Sequence, residues 1–454
     1  MPLQLQNCQH EILQHDPSPF AALAGYDQPS QEKRAAAVMA TGRVQKNRIV
    51  QTPLKTFPAP LVLPHDDLNY DPDCSPQSFK SWLHEEERNK ILSGERRGTL
   101  YVARVPQIGK DVEFIRDWTK SSLEMSPENS QVTTSHSPAI EFFVDYLKAF
   151  YHDMDVAELP FRLQWTAWSN NTKRHASGKQ NSIPKHLALR YNDRKTRIRV
   201  RSPPDGLFPA QMNLEDILDA ATEMLPDDAY ALLLLVDHDI YESEDDDFCC
   251  GRAYGGSRIA VVQTARYQPC LDVKENVDRA HIWPASHCKS FIDALCKVED
   301  VEPQPPTAQQ IKLSRDGPMR AAVDAASMTL TITSESTQEI QALWFSRLAR
   351  TVSHELGHCF GMDHCVYYAC NMQSTMGMKE DLRQPPYLCP VCEAKVGHAI
   401  AREWKNETEL EKKTWIMERC KTLAEFCKKL ENQEMGSTMW RGLHAWLEVR
   451  LECL

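Results

Sequence analysis

Short apolar runs and helix-spaced segments alternate through the middle of this chain. Thr99–Val105 and Phe161–Trp168 have strand composition, and Ile140–Phe150 between them repeats its apolar residues at helical spacing. The pattern predicts a β-α-β unit. It recurs with Ile198–Arg201, a helix over Leu214–Leu225 capped by Asn213, and the strand Tyr230–Val236, apolar enough to be buried on both faces. Such alternation predicts an α/β (α+β) fold built on a mixed, mainly parallel sheet with helices against it. Arg258–Ala265 and the short Met328–Ile332 read as further strands, while Pro303, Pro305 and Pro306 mark a loop.

A long helix follows, opened by Ser336 and Glu339 in the spacing of a capping box. From Ile340 to Phe360 its only charged residues are Arg347, Arg350 and Glu355, so most of its circumference is predicted to be buried. A buried carboxylate there calls for a partner. The neighbouring residues supply one, because His354-Glu355-Leu356-Gly357-His358-Cys359-Phe360-Gly361-Met362-Asp363-His364 reads H-E-x-x-H-x-x-G-x-x-H. Residues four apart on a helix stand on one face about 6 Å apart along the axis, so His354 and His358 can converge on one ion. Gly361 can take positive φ and swing the chain round to bring His364 as third ligand. Three histidines leave a fourth position open for water, as in catalytic zinc sites, and Glu355 stands where a general base would take that water's proton.

Cysteines begin where the histidines end. Cys365, Cys370, Cys389 and Cys392 form two close groups, H-C-x4-C-x-M-x16-C-x2-C, which suits a closed tetrahedral structural zinc site; two disulfides are the competing reading. The string His354–Cys392 resembles the archaemetzincins, metzincin-type zinc peptidases in which a four-cysteine site follows the third histidine directly. The resemblance implies a zincin-like mixed sheet with an active-site helix, and two Zn2+ per chain. His354, His358 and His364 would hold catalytic zinc, Glu355 would act as base, and Cys365, Cys370, Cys389 and Cys392 would hold structural zinc. Met372 would be the Met-turn residue beneath the catalytic metal. It also implies a peptide or protein substrate, with aminopeptidase activity the usual suggestion. Arg252–Val262 looks like the family's glycine-led strand ahead of the active-site helix, and by the same resemblance the strand at Arg258–Ala265 would be the antiparallel sheet edge that pairs with substrate.

Composition narrows the setting. The chain has 454 residues, 42% of them hydrophobic, and a net charge of −11 with dispersed acids, which argues against a nucleic-acid surface. The apolar run Ala229–Val236 is far shorter than the roughly 20 residues of a membrane span, so no membrane partner is expected. The amino terminus lacks a positive start and an apolar core, and a cytoplasmic or nuclear setting with mostly reduced cysteines is expected. Cys249 and Cys250, with Cys270 or Cys288, are read as buried thiols in preference to a third metal site. Residues 1–75 are expected to be an irregular extension, 76–400 the catalytic domain and 401–454 a helical segment whose Trp440, Leu443 and Trp446 pack onto it. Tyr254, Tyr387, His281 and His287 are candidate oxyanion donors among which sequence does not choose, nor does it fix the oligomeric state. The runner-up function is a noncatalytic zinc-stabilised interaction module, which the complete set of ligands and base disfavours.

Overall fold

The computed structural model describes residues 8, 10–44, 55–66, 74–124, 137–169, 183–327 and 336–454. Its centre is the strand Ala229–Val236, buried at every position. Ala231, Leu233 and Leu235 contribute to one hydrophobic cluster and Leu232, Leu234 and Val236 to a second, so from Ala231 onward alternate side chains serve opposite faces. The five-stranded sheet around it runs Gly251–Tyr254, Ile259–Gln263, Ala229–Val236, Thr99–Ala103, Asp155–Glu158. All neighbours in it are parallel except the first pair, which is antiparallel.

The two faces are covered by helices whose apolar residues match them. Thr337–Cys359 and Ile140–Phe150 pack on the first face through Phe345, Leu348, Val352, Phe143, Leu147 and Phe150. Leu214–Met224 packs on the second through Ile217, Leu218 and Ala221, and Asn213 caps it by accepting from the Asp216 amide at 3.1 Å. The mixed α/β architecture is therefore as expected, but the strands divide between two sheets. Leu163–Ala167 does not pair with Thr99–Ala103; it belongs to a six-stranded sheet with Gln107–Ile108, His186–Tyr191, Arg194–Arg201, Gln211–Asn213 and Ile240–Tyr241. The parallel partner of Thr99–Ala103 is Asp155–Glu158, whose only buried residue is Val156, too little apolar pattern to mark a strand. Met328–Ile332 lies outside the described residues.

A second correction concerns the sheet edge. Gly255–Ser257 form a turn closed by Arg258 at φ 65°, which splits the stretch 252–262 into two antiparallel strands. Ile259–Gln263 is consequently an interior strand, and the edge is Gly251–Tyr254.

Both ends of the chain reach the first cluster. Leu13, Tyr26, Phe57 and Val62 are buried in it, and the described residues of the N-terminal segment include a short helix, Gln31–Ala37. At the other end Pro390–Gly397 runs into a wider turn over His398–Trp404, followed by helices Glu409–Asn432 and Thr438–Leu451. Trp440, Leu443 and Trp446 are fully buried, with the Trp446 indole donating to the Thr56 carbonyl at 3.1 Å. Among the described residues no helix is long and apolar enough to cross a membrane.

Candidate active site and cysteine cluster

The helix Thr337–Cys359 begins as its sequence predicts. The Ser336 hydroxyl accepts from the Glu339 amide at 3.2 Å and the Glu339 carboxylate accepts from the Ser336 amide at 2.7 Å. Its buried arginines are paired: Arg347 donates to Asp272 at 2.7 Å and Arg350 forms an ion pair with Asp381. The last turn carries His354, Glu355 and His358. Gly361, at φ 72°, then reverses the chain, and Gln77 fixes the reversal by donating to the Gly361 carbonyl at 3.0 Å and accepting from the Asp363 amide at 3.1 Å. His364 is thereby brought back to the other two histidines.

One ring nitrogen from each of His354, His358 and His364 lies within 4.8 Å of the others, and the Nε2 atoms of His354 and His358 are 3.1 Å apart. Two nitrogens bound to a tetrahedral zinc stand about 3.3 Å apart, given Zn–N bonds of about 2.0–2.1 Å. The donor set therefore fits zinc. Nδ1 of His354 faces the Asn371 carbonyl and Nδ1 of His358 the Met362 carbonyl, each at 2.7 Å, so both rings donate there and present Nε2 lone pairs inward. Burial, with His358 and His364 adding to it, holds His354 well below the usual imidazole range, and burial takes His358 down to about 4. Both are neutral near pH 7, the form a metal requires.

Glu355 is buried beside them. Burial pushes its carboxyl up to about 8, against the opposing pull of Arg252 and Arg350. Met372 is fully buried beneath the helix; a Cβ on Gly357 would stand 2.5 Å from its Sδ, so glycine permits this approach. These residues open onto a cleft of about 840 Å³ bordered by the edge strand Gly251–Tyr254. The edge is tied to the helix end, because Asn89 donates from one amide to the carbonyls of Gly255 and Cys359.

Cys365, Cys370, Cys389 and Cys392 converge with all sulfurs within 4.8 Å of one another, none of them bonded in a disulfide. Cys365 Sγ and Cys389 Sγ are 3.5 Å apart, close to the roughly 3.8 Å of sulfurs on a tetrahedral zinc at about 2.3 Å. Hydrogen bonds from the other three thiols hold Cys365 well below the usual thiol range, while burial pushes Cys370 and Cys389 up. The Cys365 amide donates to the Met372 carbonyl at 2.7 Å, which couples this cluster to the floor of the histidine site.

Of the four oxyanion candidates, only Tyr254 lines the cleft. Tyr387 is stacked on Trp446 with ring centroids 4.2 Å apart, inside an aromatic group. His281 pairs with Asp278 at 2.7 Å, and His287 is fully buried elsewhere. Cys249 and Cys250 also line the cleft, where burial pushes both thiols up to about 12. Cys288 is not beside them but against Cys8. Sequence reasoning missed Arg252, Tyr267 and Asp381 as lining residues. Arg350, one turn before His354, carried a signal in being a buried charge on the ligand-bearing helix.

Known proteins share this part of the chain. A model described as peptidase family M54 matches residues 319–398. Archaemetzincin-2 of Homo sapiens is 38% identical over 71 residues, covering 15% of this chain and 20% of that protein. Archaemetzincin-1 of Mus musculus is 25% identical over 196 residues, or 43% of this chain and 32% of that protein. The crystal structure of archaemetzincin from Methanopyrus kandleri aligns at 15% identity and a TM-score of 0.30, covering 68% of this chain and 99% of that one. The match spans about a fifth of the length of the first curated relatives.

Proposed function

We propose, from the membership of residues 319–398 in the archaemetzincin family (peptidase family M54), that this chain is a zinc-dependent metallopeptidase. The observation that carries the reading is the convergence of His354, His358 and His364, with two Nε2 lone pairs aimed inward, on a cleft that also holds Glu355. His354, His358 and His364 would hold the catalytic ion, and Cys365, Cys370, Cys389 and Cys392 a second, structural one. Bound there, zinc supplies Lewis acidity, lowering the pKa of water to about 7 and polarising the scissile carbonyl. Glu355 accepts a proton on its carboxylate from the attacking water and passes it to the departing amine. Met372 supports the histidines from below. Gly251–Tyr254 would offer the backbone of its edge strand to an extended peptide, and Tyr254, which lines the cleft, would steady the oxyanion.

Aminopeptidase action is the finer part of this proposal. Glu85, Glu87 and Asp363 stand on the cleft wall, acids suited to a free α-amino group, while Glu242 there is paired with Arg252 at 3.1 Å. The division into residues 1–75, 76–400 and 401–454 and a cytoplasmic or nuclear setting, where thiols stay reduced for metal, belong to the same reading.

Glu355→Gln tests it. The variant is expected to keep the zinc content of wild type and lose hydrolysis of a peptide library. Full activity in that variant would remove Glu355 from the role of base, and a wild type that binds zinc but cleaves nothing would favour a noncatalytic interaction module. Digesting libraries with free and with blocked amino termini separates aminopeptidase from endopeptidase action.

A further inference from the structure

Away from the cleft, the first described residues of the chain meet the loop that precedes helix Lys289–Val298. Cys8 Sγ and Cys288 Sγ are 3.1 Å apart, and a ring nitrogen of His10 lies within 4.8 Å of both sulfurs. His281 stands beside this three-donor group, just outside its 4.8 Å spread, with its ring edge-to-face to that of His10 at 5.3 Å between centroids and its imidazole interacting with the Cys8 thiol. We propose that Cys8, His10, His281 and Cys288 form a third zinc site, a Cys2His2 staple that ties the N-terminal segment to the body of the protein.

The chemistry of the four donors carries this. His10, His281 and Cys288 are 6%, 2% and 1% exposed; Nε2 of His10 is buried without a hydrogen bond, and buried Nε2 of His281 has no partner beyond the Cys8 thiol. Buried polar atoms left unsatisfied are destabilising, and two in one cluster of thiols mark a place for a ligand. His281 is oriented for one: its Nδ1 donates to Asp278 at 2.7 Å and its ring stacks on Phe291 at 4.2 Å, which leaves Nε2 as the nitrogen turned toward the cluster. A carboxylate behind a histidine in this way is the usual support of a metal ligand. A Cys8–Cys288 disulfide would leave both imidazoles unsatisfied, whereas two thiolates and two neutral imidazoles complete a closed tetrahedral zinc set.

The backbone holds the ligands in register. Lys289 donates its amide to Ile12 at 2.9 Å, Gln14 donates to His287 at 2.7 Å, and Leu13 bridges Cys288, so the segment after His10 is strand-paired to the loop that ends at Cys288. Uptake of one Zn2+ displaces the two thiol protons with no change of oxidation state.

Metal analysis and native mass spectrometry of the full chain test the proposal. Cys288→Ser and His281→Ala are each expected to hold one zinc fewer than wild type. His358→Ala also loses one, and His358→Ala combined with Cys288→Ser loses two, which separates this site from the cleft. Asp278→Asn should keep the ion but bind it about 10–100-fold more weakly. If the variants fold poorly, wild type alone decides: zinc should protect Cys8 and Cys288 from alkylation, and a chelator should expose them. Unchanged zinc content in Cys288→Ser, alkylation of Cys8 at equal rates with and without zinc, or a reducible Cys8–Cys288 cross-link in place of the metal would each overturn the site.

Discussion

Glu393 follows Cys392 directly and receives two arginines from the C-terminal helices. Arg450 grips it with both ends of its guanidinium, at 3.1 Å and 2.5 Å, and Arg419 reaches it at 3.4 Å. Glu393, Arg419 and Arg450 are 4%, 1% and 5% exposed, so Glu393→Ala would strand two cations out of water. At an effective dielectric near 20, one pair at about 4 Å is worth about 4 kcal/mol, and breaking a buried pair costs about 3–5 kcal/mol. The second arginine keeps one compensating hydrogen bond, from Nε to the Phe150 carbonyl at 2.7 Å, so we place the loss at the middle of that range, about 4 kcal/mol. Urea unfolding followed by tryptophan fluorescence measures it. Replacing all three residues by leucine or methionine should recover most of the loss, because the cost lies in uncompensated charge. A chelator should also strip the four-cysteine cluster faster in Glu393→Ala, since the turn holding Cys389 and Cys392 loses its anchor. A loss below about 1 kcal/mol, or a triple variant no better than the single one, would refute the argument.

Other changes probe other links. Gly255→Ala would put a Cβ 2.6 Å from the His358 carbonyl oxygen, a backbone atom that cannot swing aside; we expect about 1–3 kcal/mol lower stability and weaker zinc retention in the cleft, read by denaturation and chelator competition. Ser336→Ala should cost about 1 kcal/mol through loss of the cap on the ligand-bearing helix, leaving zinc content unchanged in metal analysis. Burial takes His287 down to about 3, below the 6.5 of an exposed imidazole, so the unfolded chain binds more protons between those values and stability must rise with pH across that window. Relative to wild type, His287→Gln should flatten the slope by up to about 1.4 kcal/mol per pH unit there, and parallel slopes in chelated protein would show that His287 is not buried neutral.

The histidine site was legible because its geometry is local. Helical periodicity alone sets His354 beside His358, and one glycine with positive φ returns His364 to them, so eleven consecutive residues carry the arrangement. The four cysteines were legible for the same reason, falling in two close groups within 28 residues. Hydrophobic alternation likewise marked Ala229–Val236 as a central strand, since a strand buried on both faces has nowhere to place a polar side chain.

What depends on distant pairing was decided only by the folded chain. The sequence by itself determined which residues form the ligand-bearing helix, its cap, the central strand and the α/β class. Tertiary structure decided that Leu163–Ala167 leaves for a second sheet, that Gly251–Tyr254 is the edge, and that Tyr387 stacks on Trp446 while Tyr254 faces the cleft. It also placed Cys8 against Cys288, 280 positions away. Periodicity reports a residue's surroundings over a few turns, whereas which strand or loop closes on it is settled by the packing of whole layers, a sum over contacts that no single segment encodes.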